Sequence, residues 1–420
     1  MSPHRLLLAF AGYAQRAGLL LGLLLTLSAN CRAGQNELLG ELKAKVKADA
    51  ADFVSWNKLA DAELSQLSAT GDLACLTRAA EAVEHSLQSA NPEFNHGGLA
   101  VRARVALASH RFTEARRDAE LLRTLMPDST YPLHLLGDAL LNLGEYEAAT
   151  RAWHQLFARD GSTLATEPRL AQLDLVYGRT APAHEHLTAA LALAEKLTPP
   201  SPETVAWCHV QLGELAFRSG DWETAGKHYT AARAAQPDYY AALDHLAELR
   251  GAQGRIDEAI ATYTHALELQ PRPELMQALG DLYLSTGRAA DAQPWHDHAL
   301  AAYLVSVEHG EALYFHHLTG FYADSVKEPA KAVEWARRDL VLRPSIQACD
   351  ALAWALHKAG QNEEASSIVP KALATGTHDA HILYHAGLIR MAAGNVADGS
   401  ALLQQALAAN PRYNTFHVHR

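Results

Sequence analysis

His381 and His385, in "HDAHILYHAG", are the residues of this chain best placed to do chemistry. On a helix their four-residue spacing puts both imidazoles on one face, where they could chelate one ion, with His378 and Asp379 just before them. A zinc site asks for three or four converging ligands with supporting hydrogen bonds, so the pair alone does not define one. His309 and His316, in "HGEALYFHH", would lie two turns apart on an unbroken helix. Gly310 is expected to break that helix, and Ala312 between them cannot ligate. The terminal "FHVHR" repeats the look with a weaker claim. No glycine-rich phosphate loop, dinucleotide fingerprint or nucleophile elbow is present, and no serine or cysteine is framed by His and Asp. The expectation is a protein with no catalytic residues, no metal and no cofactor.

The elements that carry these histidines show in a repeat. "GELAFRSGDWETAGKHYTAARAAQP" begins at Gly213 and "AELRGAQGRIDEAIATYTHALELQP" at Ala247. Gly220 and Gly254, Ala225 and Ala259, Tyr229 and Tyr263, Ala232 and Ala266, and Pro237 and Pro271 all stand 34 apart. Each stretch divides at its glycine into two helical segments. Ala225, Tyr229 and Ala232 share one helix face, Gly220 suits a left-handed C-cap, Asp221 suits the next N-cap, and proline ends the unit. Alanine at the crossing lets two backbones approach, and the tyrosine fills the remaining gap. The crossing position recurs at Ala115, Ala149, Ala183, Ala225, Ala259, Ala292, Ala332, Ala365 and Gly399, with steps of 34, 34, 42, 34, 33, 40, 33 and 34. A degenerate earlier unit carries Trp56, Leu59, Ala80 and Pro92. The long steps mark two insertions. "AEKLTPPSPET" reads as a lengthened helix plus an ordered loop, and "AAYLVSVEHGEAL" as a helix overrunning to Gly310.

This pattern resembles the tetratricopeptide repeat, a helix–turn–helix unit of 34 residues. The resemblance implies an all-α, right-handed superhelical solenoid of about ten repeats, spanning roughly Ala51 to Pro411. It also implies that the first helix of each repeat lines a concave groove. In that register Tyr131, His134, Asp138, Trp207, Glu214, Asp244, Glu248, Glu274 and Asp281 face inward. Asp138, Glu214, Glu248 and Asp281 then form an acidic row, with Tyr131 and Trp207 as apolar footholds. Nearer the C-terminus the groove becomes Tyr314, His317, Phe321, Asp350, Trp354, His381 and Tyr384, with His317, Asp350 and Tyr384 expected to line one face. Such a groove suits an extended or helical protein segment carrying Lys or Arg. Gly399 in place of alanine suggests a looser end to the array. The C-terminal stretch is similar to exported bacterial tetratricopeptide proteins of mostly unassigned activity, so a non-enzymatic scaffold is expected. The alternatives are a metal-binding protein or hydrolase using the C-terminal His, Asp and Tyr cluster, and a lipid-anchored envelope assembly factor.

The chain has 420 residues and a formal net charge of −11, which argues against nucleic acid as its main partner. Arg5 and Arg16 lead into the apolar run Ala17–Leu27, too short to span a membrane comfortably but ordered like a secretory signal. Cleavage before Gly34 is expected, leaving no membrane span; lipidation of Cys31 is the rival. Export to the periplasm or outside the cell follows from either. The resulting division is a signal peptide over 1–33, an N-terminal segment over 34–95, a central array over 96–304 and a C-terminal array with tail over 305–420. Cys75, Cys208 and Cys349 lie in different repeats without metal-like spacing, and are expected to be small core residues without a structural disulfide.

Overall fold

The computed structural model describes residues 29–413 and Phe416, with side chains from Asn36 onward. Residues 1–28 of the expected leader, His417 and His419 lie outside the described residues, and at Cys31 and the expected cleavage site only the backbone is described. Among the described residues there are twenty-one α-helices and no strand, a helical repeat solenoid. The chain forms two compact units that divide between Thr166 and Glu167.

In the first unit, α1 (Ala29–Ala48) is followed by three helix pairs. They are α2 and α3 (Phe53–Thr70, Ala74–Ser89), α4 and α5 (His96–Ala108, Phe112–Leu125), and α6 and α7 (Tyr131–Asn142, Tyr146–Asp160). Leu59, Leu64, Leu76, Val83 and Val105 build part of its core.

The second unit holds seven pairs. The first four are α8 and α9 (Glu167–Val176, Thr180–Ala194), α10 and α11 (Pro202–Arg218, Trp222–Ala235), α12 and α13 (Tyr240–Ala252, Ile256–Leu269), and α14 and α15 (Pro273–Ser285, Ala289–Glu308). The last three are α16 and α17 (Phe315–Gly320, Pro329–Leu342), α18 and α19 (Ile346–Lys358, Asn362–Ala372), and α20 and α21 (Ala380–Ala392, Val396–Ala409). The two units together hold ten pairs, as the spacing predicted.

Close helix approach explains the pattern. Ala115, Ala149, Ala183, Ala225, Ala259, Ala332 and Ala365 are completely buried at the crossings. Opposite them, a Cβ on Gly213 would stand 2.4 Å from Tyr229 Cε1, one on Gly137 1.9 Å from Trp153 Nε1, and one on Gly280 2.3 Å from His296 Cδ2. Each glycine precedes its ring by the same sixteen residues, so the second helix's ring lies on the bare backbone of the first. Gly220 takes the left-handed φ of +76°, and Asp221 accepts a 3.0 Å hydrogen bond from Thr224 N as the cap of α11. At Gly399 the expected looseness is reversed. A Cβ there would meet Gly387 O at 2.6 Å and Met391 Cγ at 2.4 Å, so glycine marks a tighter crossing.

The insertions resolve differently. α15 overruns to 20 residues and ends ahead of Gly310, whose φ is +79°. α9, expected to be lengthened, has 15 residues like α7; the extra chain forms the loop over 195–201, from which Ser201 caps α10. α16 is short because it passes directly into a π-helical turn, Phe321–Ser325.

Within the second unit, residues far apart in sequence touch. Thr375 Oγ1 donates a 2.6 Å hydrogen bond to Val176 O, and the Arg412 guanidinium lies 4.2 Å from the centre of the Trp222 ring. Cys75, Cys208 and Cys349 are free and buried, and burial pushes the Cys75 and Cys208 thiols up to about 12. Among the described residues no helix is long and apolar enough to cross a membrane.

Candidate functional site

Two of the four residues of the expected acidic row, Asp138 and Glu248, are buried, and Glu214 and Asp281 are half-buried. Asp138 on α6 and Asp244 and Glu248 on α12 are buried, at 0%, 3% and 1% exposure, and Glu274 on α14 is buried as well. Glu214 is half-buried and ion-paired with Arg218 one turn on. Half-buried Asp281 accepts from Ser325 Oγ at 2.7 Å and contacts His296 Nε2 at 2.9 Å. The charges of these acids are felt by the phenols of the second helices. Tyr229, Tyr263 and Tyr303 are pushed well above the ordinary tyrosine range, first by burial and then by the charges of neighbouring acids. Glu248 and Glu214 act on Tyr229, Asp244 and Glu248 on Tyr263, and Glu274 and Asp281 on Tyr303. Burial of Asp138, Asp244, Glu248 and Glu274 leaves Glu214 and Asp281 as the partly exposed acids of the expected row.

Other groove residues also turn inward. Tyr131 and His134 lie on the first turn of α6, with ring centres 6.2 Å apart, and His134 is buried. Trp207 on α10 is half-buried. Tyr314 is buried against Tyr303 at 4.7 Å and against His317 at 5.5 Å. Phe321, expected in the groove, is buried in the π-helical turn with its ring edge-on to His296 at 5.5 Å. His317 belongs to this aromatic group, 5.7 Å from the Tyr303 ring.

The residues that do converge are Asp350, Trp354, His381 and His385. Asp350 and Trp354 are one turn apart on α18; His381 and His385 are one turn apart on α20, the next first helix along. Asp350 Oδ2 lies 3.0 Å from His385 Nδ1 and 4.0 Å from His381 Nε2. The His385 ring stacks on Trp354 at 3.8 Å and 7°, and meets His381 at 3.9 Å and 64°. Trp354 is itself fixed, since its Nε1 donates to Asp324 Oδ2 at 3.0 Å. Lys358 Nζ donates to the other oxygen of Asp324 at 3.0 Å and lies 5.0 Å from the Trp354 ring centre. Asp379 holds the start of α20, its Oδ1 accepting from His381 N at 2.9 Å and Ile382 N at 3.3 Å.

This cluster borders a cavity of about 750 Å³ in the second unit. Trp354, His381, Tyr384 and His385 line one side, and Gly178, Leu215 and Arg218 another. Tyr384 packs on Tyr413 at 4.8 Å, and both rings line the cavity. The opening combines aromatic faces with groups of both charge signs, Asp324 and Asp379 against Arg218 and Lys358.

Sequence reasoning reached His381 and His385 as a pair and Asp350 as a groove residue, without joining them. It missed the roles of Asp324, Arg218 and Tyr413. His385 falls one position beyond the expected inward-facing residue Tyr384, and it is His385 that reaches Asp350. The shared signal was the four-residue spacing of two pairs, Asp350 with Trp354 and His381 with His385, on consecutive first helices.

The chain carries tetratricopeptide repeats. The tetratricopeptide repeat family model matches residues 216–279, and the same helix pair recurs on both sides of that stretch. A fold of this kind suggests a scaffold for protein–protein interaction. Among solved structures, the chain is similar to MamA, with 22% identity, a TM-score of 0.31, and coverage of 40% of this chain and 93% of that one. It is similar to a tetratricopeptide repeat protein from Parabacteroides merdae at 16% identity and TM-score 0.42, covering 58% and 92%. A human IFIT1 dimer with PPP-AAAA gives 15% identity and TM-score 0.47, covering 90% and 87%. Similarity at these levels carries nothing about this chain's ligand. No curated protein sequence matches.

Proposed function

We propose that the protein is an exported, non-enzymatic scaffold that holds a segment of a partner protein in the cavity beside Trp354, Tyr384 and Tyr413. The observation that carries this reading is the cavity itself, about 750 Å³ with aromatic walls and polar groups at its edges. A volume of that order takes a few side chains rather than a folded domain. Aromatic surfaces give contact area at low entropic cost, and Arg218, Lys358, Asp324 and Asp379 can orient polar groups of the segment. Arg5, Arg16 and the apolar run Ala17–Leu27 support export, with cleavage before Gly34. Sequencing the mature N-terminus separates cleavage from lipidation at Cys31.

The test uses the full mature chain and the partner it captures from its native compartment. Calorimetry is expected to show that Trp354→Ala and Tyr384→Ala each weaken the partner at least about tenfold, which corresponds to 1.4 kcal/mol. Their helical circular dichroism is expected to match that of the parent. Unchanged affinity in both variants removes the cavity from the function.

A further inference from the structure

Asp350, His381 and His385 each offer one ligand atom, and the three atoms lie within 4.8 Å of one another. We propose that these residues form a binding site for a divalent first-row transition metal at the wall of the cavity. Metal–ligand distances of about 2.0–2.1 Å in a tetrahedral site separate the ligand atoms by about 3.3 Å. The distances from Asp350 Oδ2, 3.0 Å to His385 Nδ1 and 4.0 Å to His381 Nε2, straddle that value. With no pair of ligand atoms more than 4.8 Å apart, side-chain rotation is what would draw the trio to coordinating geometry.

Three further features favour an ion there. The donor set, two imidazoles and one carboxylate, suits zinc, iron(II), cobalt or nickel, and does not suit calcium or magnesium, which take oxygen ligands. Asp350 and His385 are buried, at 6% and 5% exposure, so the site sits in a low-dielectric wall where a carboxylate and a dication attract strongly. The surroundings hold the ligands in place. The stack on Trp354 sets the His385 plane, the bond to Asp324 fixes Trp354, and Asp379 anchors the turn that carries His381. Three protein ligands leave at least one coordination position, and His381 and His385 line the cavity into which it would open. His209 and His228, whose Nδ1 atoms are 3.0 Å apart, are also close, but among the described residues they do not belong to a three-ligand group.

The inference stands apart from the partner reading, because it is tested with the metal alone. The mature, untagged chain is stripped with chelator and titrated with Zn²⁺ by calorimetry, and Co²⁺ is followed by its visible absorption. One equivalent of Zn²⁺ per chain is expected, with a Co²⁺ spectrum of low coordination number. His381→Ala and Asp350→Asn are each expected to weaken Zn²⁺ at least about tenfold and to abolish that spectrum. His228→Ala is expected to leave both unchanged. Asp350 is buried, so its variant is read only if its circular dichroism matches the parent; half-buried His381 supplies the second variant. Failure of the parent chain to bind Zn²⁺ overturns the proposal, as does parental affinity in His381→Ala.

Discussion

At the scale of single residues, the chain turns on glycines that look alike in sequence and differ in what they touch. Gly213 and Gly226 both sit inside helices, where alanine is favoured by up to about 1 kcal/mol. A Cβ on Gly226 would meet only Leu249 Cδ2, at 3.4 Å, whereas one on Gly213 would stand 2.4 Å from the Tyr229 ring. Gly226→Ala is therefore expected to raise the urea midpoint. Gly213→Ala is expected to lower it, because overpacking of this kind costs about 1–3 kcal/mol. Shrinking Tyr229 to Leu in the Gly213→Ala background is expected to recover part of the loss. If both alanine variants gain stability, the ring does not lie on the glycine as described. The crossing was legible in the sequence because steric exclusion acts at fixed spacing. The burial of Glu248 was not legible, since a helical register gives the direction of a side chain and does not reveal what the neighbouring repeat lays over it.

At the scale of elements, the insertions and caps decide what the repeats can present. The overrun of α15 was legible because Gly310 marks where it must stop. The π-helical turn at Phe321–Ser325 was not legible, as "FYADS" carries no breaker and fits an ordinary first helix. Through that turn Asp324 reaches both Trp354 and Lys358, so the irregular element positions the cavity wall. A second device holds the end of α17, where Arg343 Nε and Nη2 donate to the Asp339 carboxylate at 2.6 and 2.8 Å, both residues being buried. Burial opposes ionisation of Asp339, but Arg343, with His316 at 3.7 Å, outweighs it and holds the carboxyl well below the usual carboxylate range. A depressed folded value contributes stability above the unfolded value of 3.8, and that contribution is lost as pH falls from there through the folded value. Arg343→Met strands a buried carboxylate and is expected to cost about 3–5 kcal/mol at neutral pH by urea unfolding. The paired variant Asp339→Leu with Arg343→Met is expected to lose less stability than the parent between pH 4.5 and pH 2.5. Equal slopes for parent and double variant would remove this pair from the acid response.

At the scale of the molecule, the second unit departs from the one-dimensional logic of a repeat array, in which each repeat leans only on its neighbours. Its first pair, α8 and α9, also meets the segment between α19 and α20. Thr375 bonds Val176, and a Cβ on Gly178 would lie 2.6 Å from Gly376 O and 3.0 Å from His378 N. The same segment leads into His381 and His385, so this closure and the cavity share a wall. Gly178 and Gly360 provide a matched test. Their φ angles are +70° and +77°, so alanine at either position carries the same left-handed penalty of about 1–2 kcal/mol. Nothing lies within 4 Å of a Cβ on Gly360, whereas one on Gly178 drives into a backbone about 200 residues away. Gly360→Ala is expected to show the local penalty alone. Gly178→Ala is expected to cost about 1–3 kcal/mol more, through overpacking at the contact. It is also expected to speed amide exchange in residues 375–385, with exchange around Gly360 unchanged. Urea unfolding followed by hydrogen exchange reads both effects. Equal losses in the two variants, with exchange at 375–385 undisturbed, would show that the long-range contact adds nothing to the stability of the unit, leaving the cavity to be held by neighbouring repeats alone.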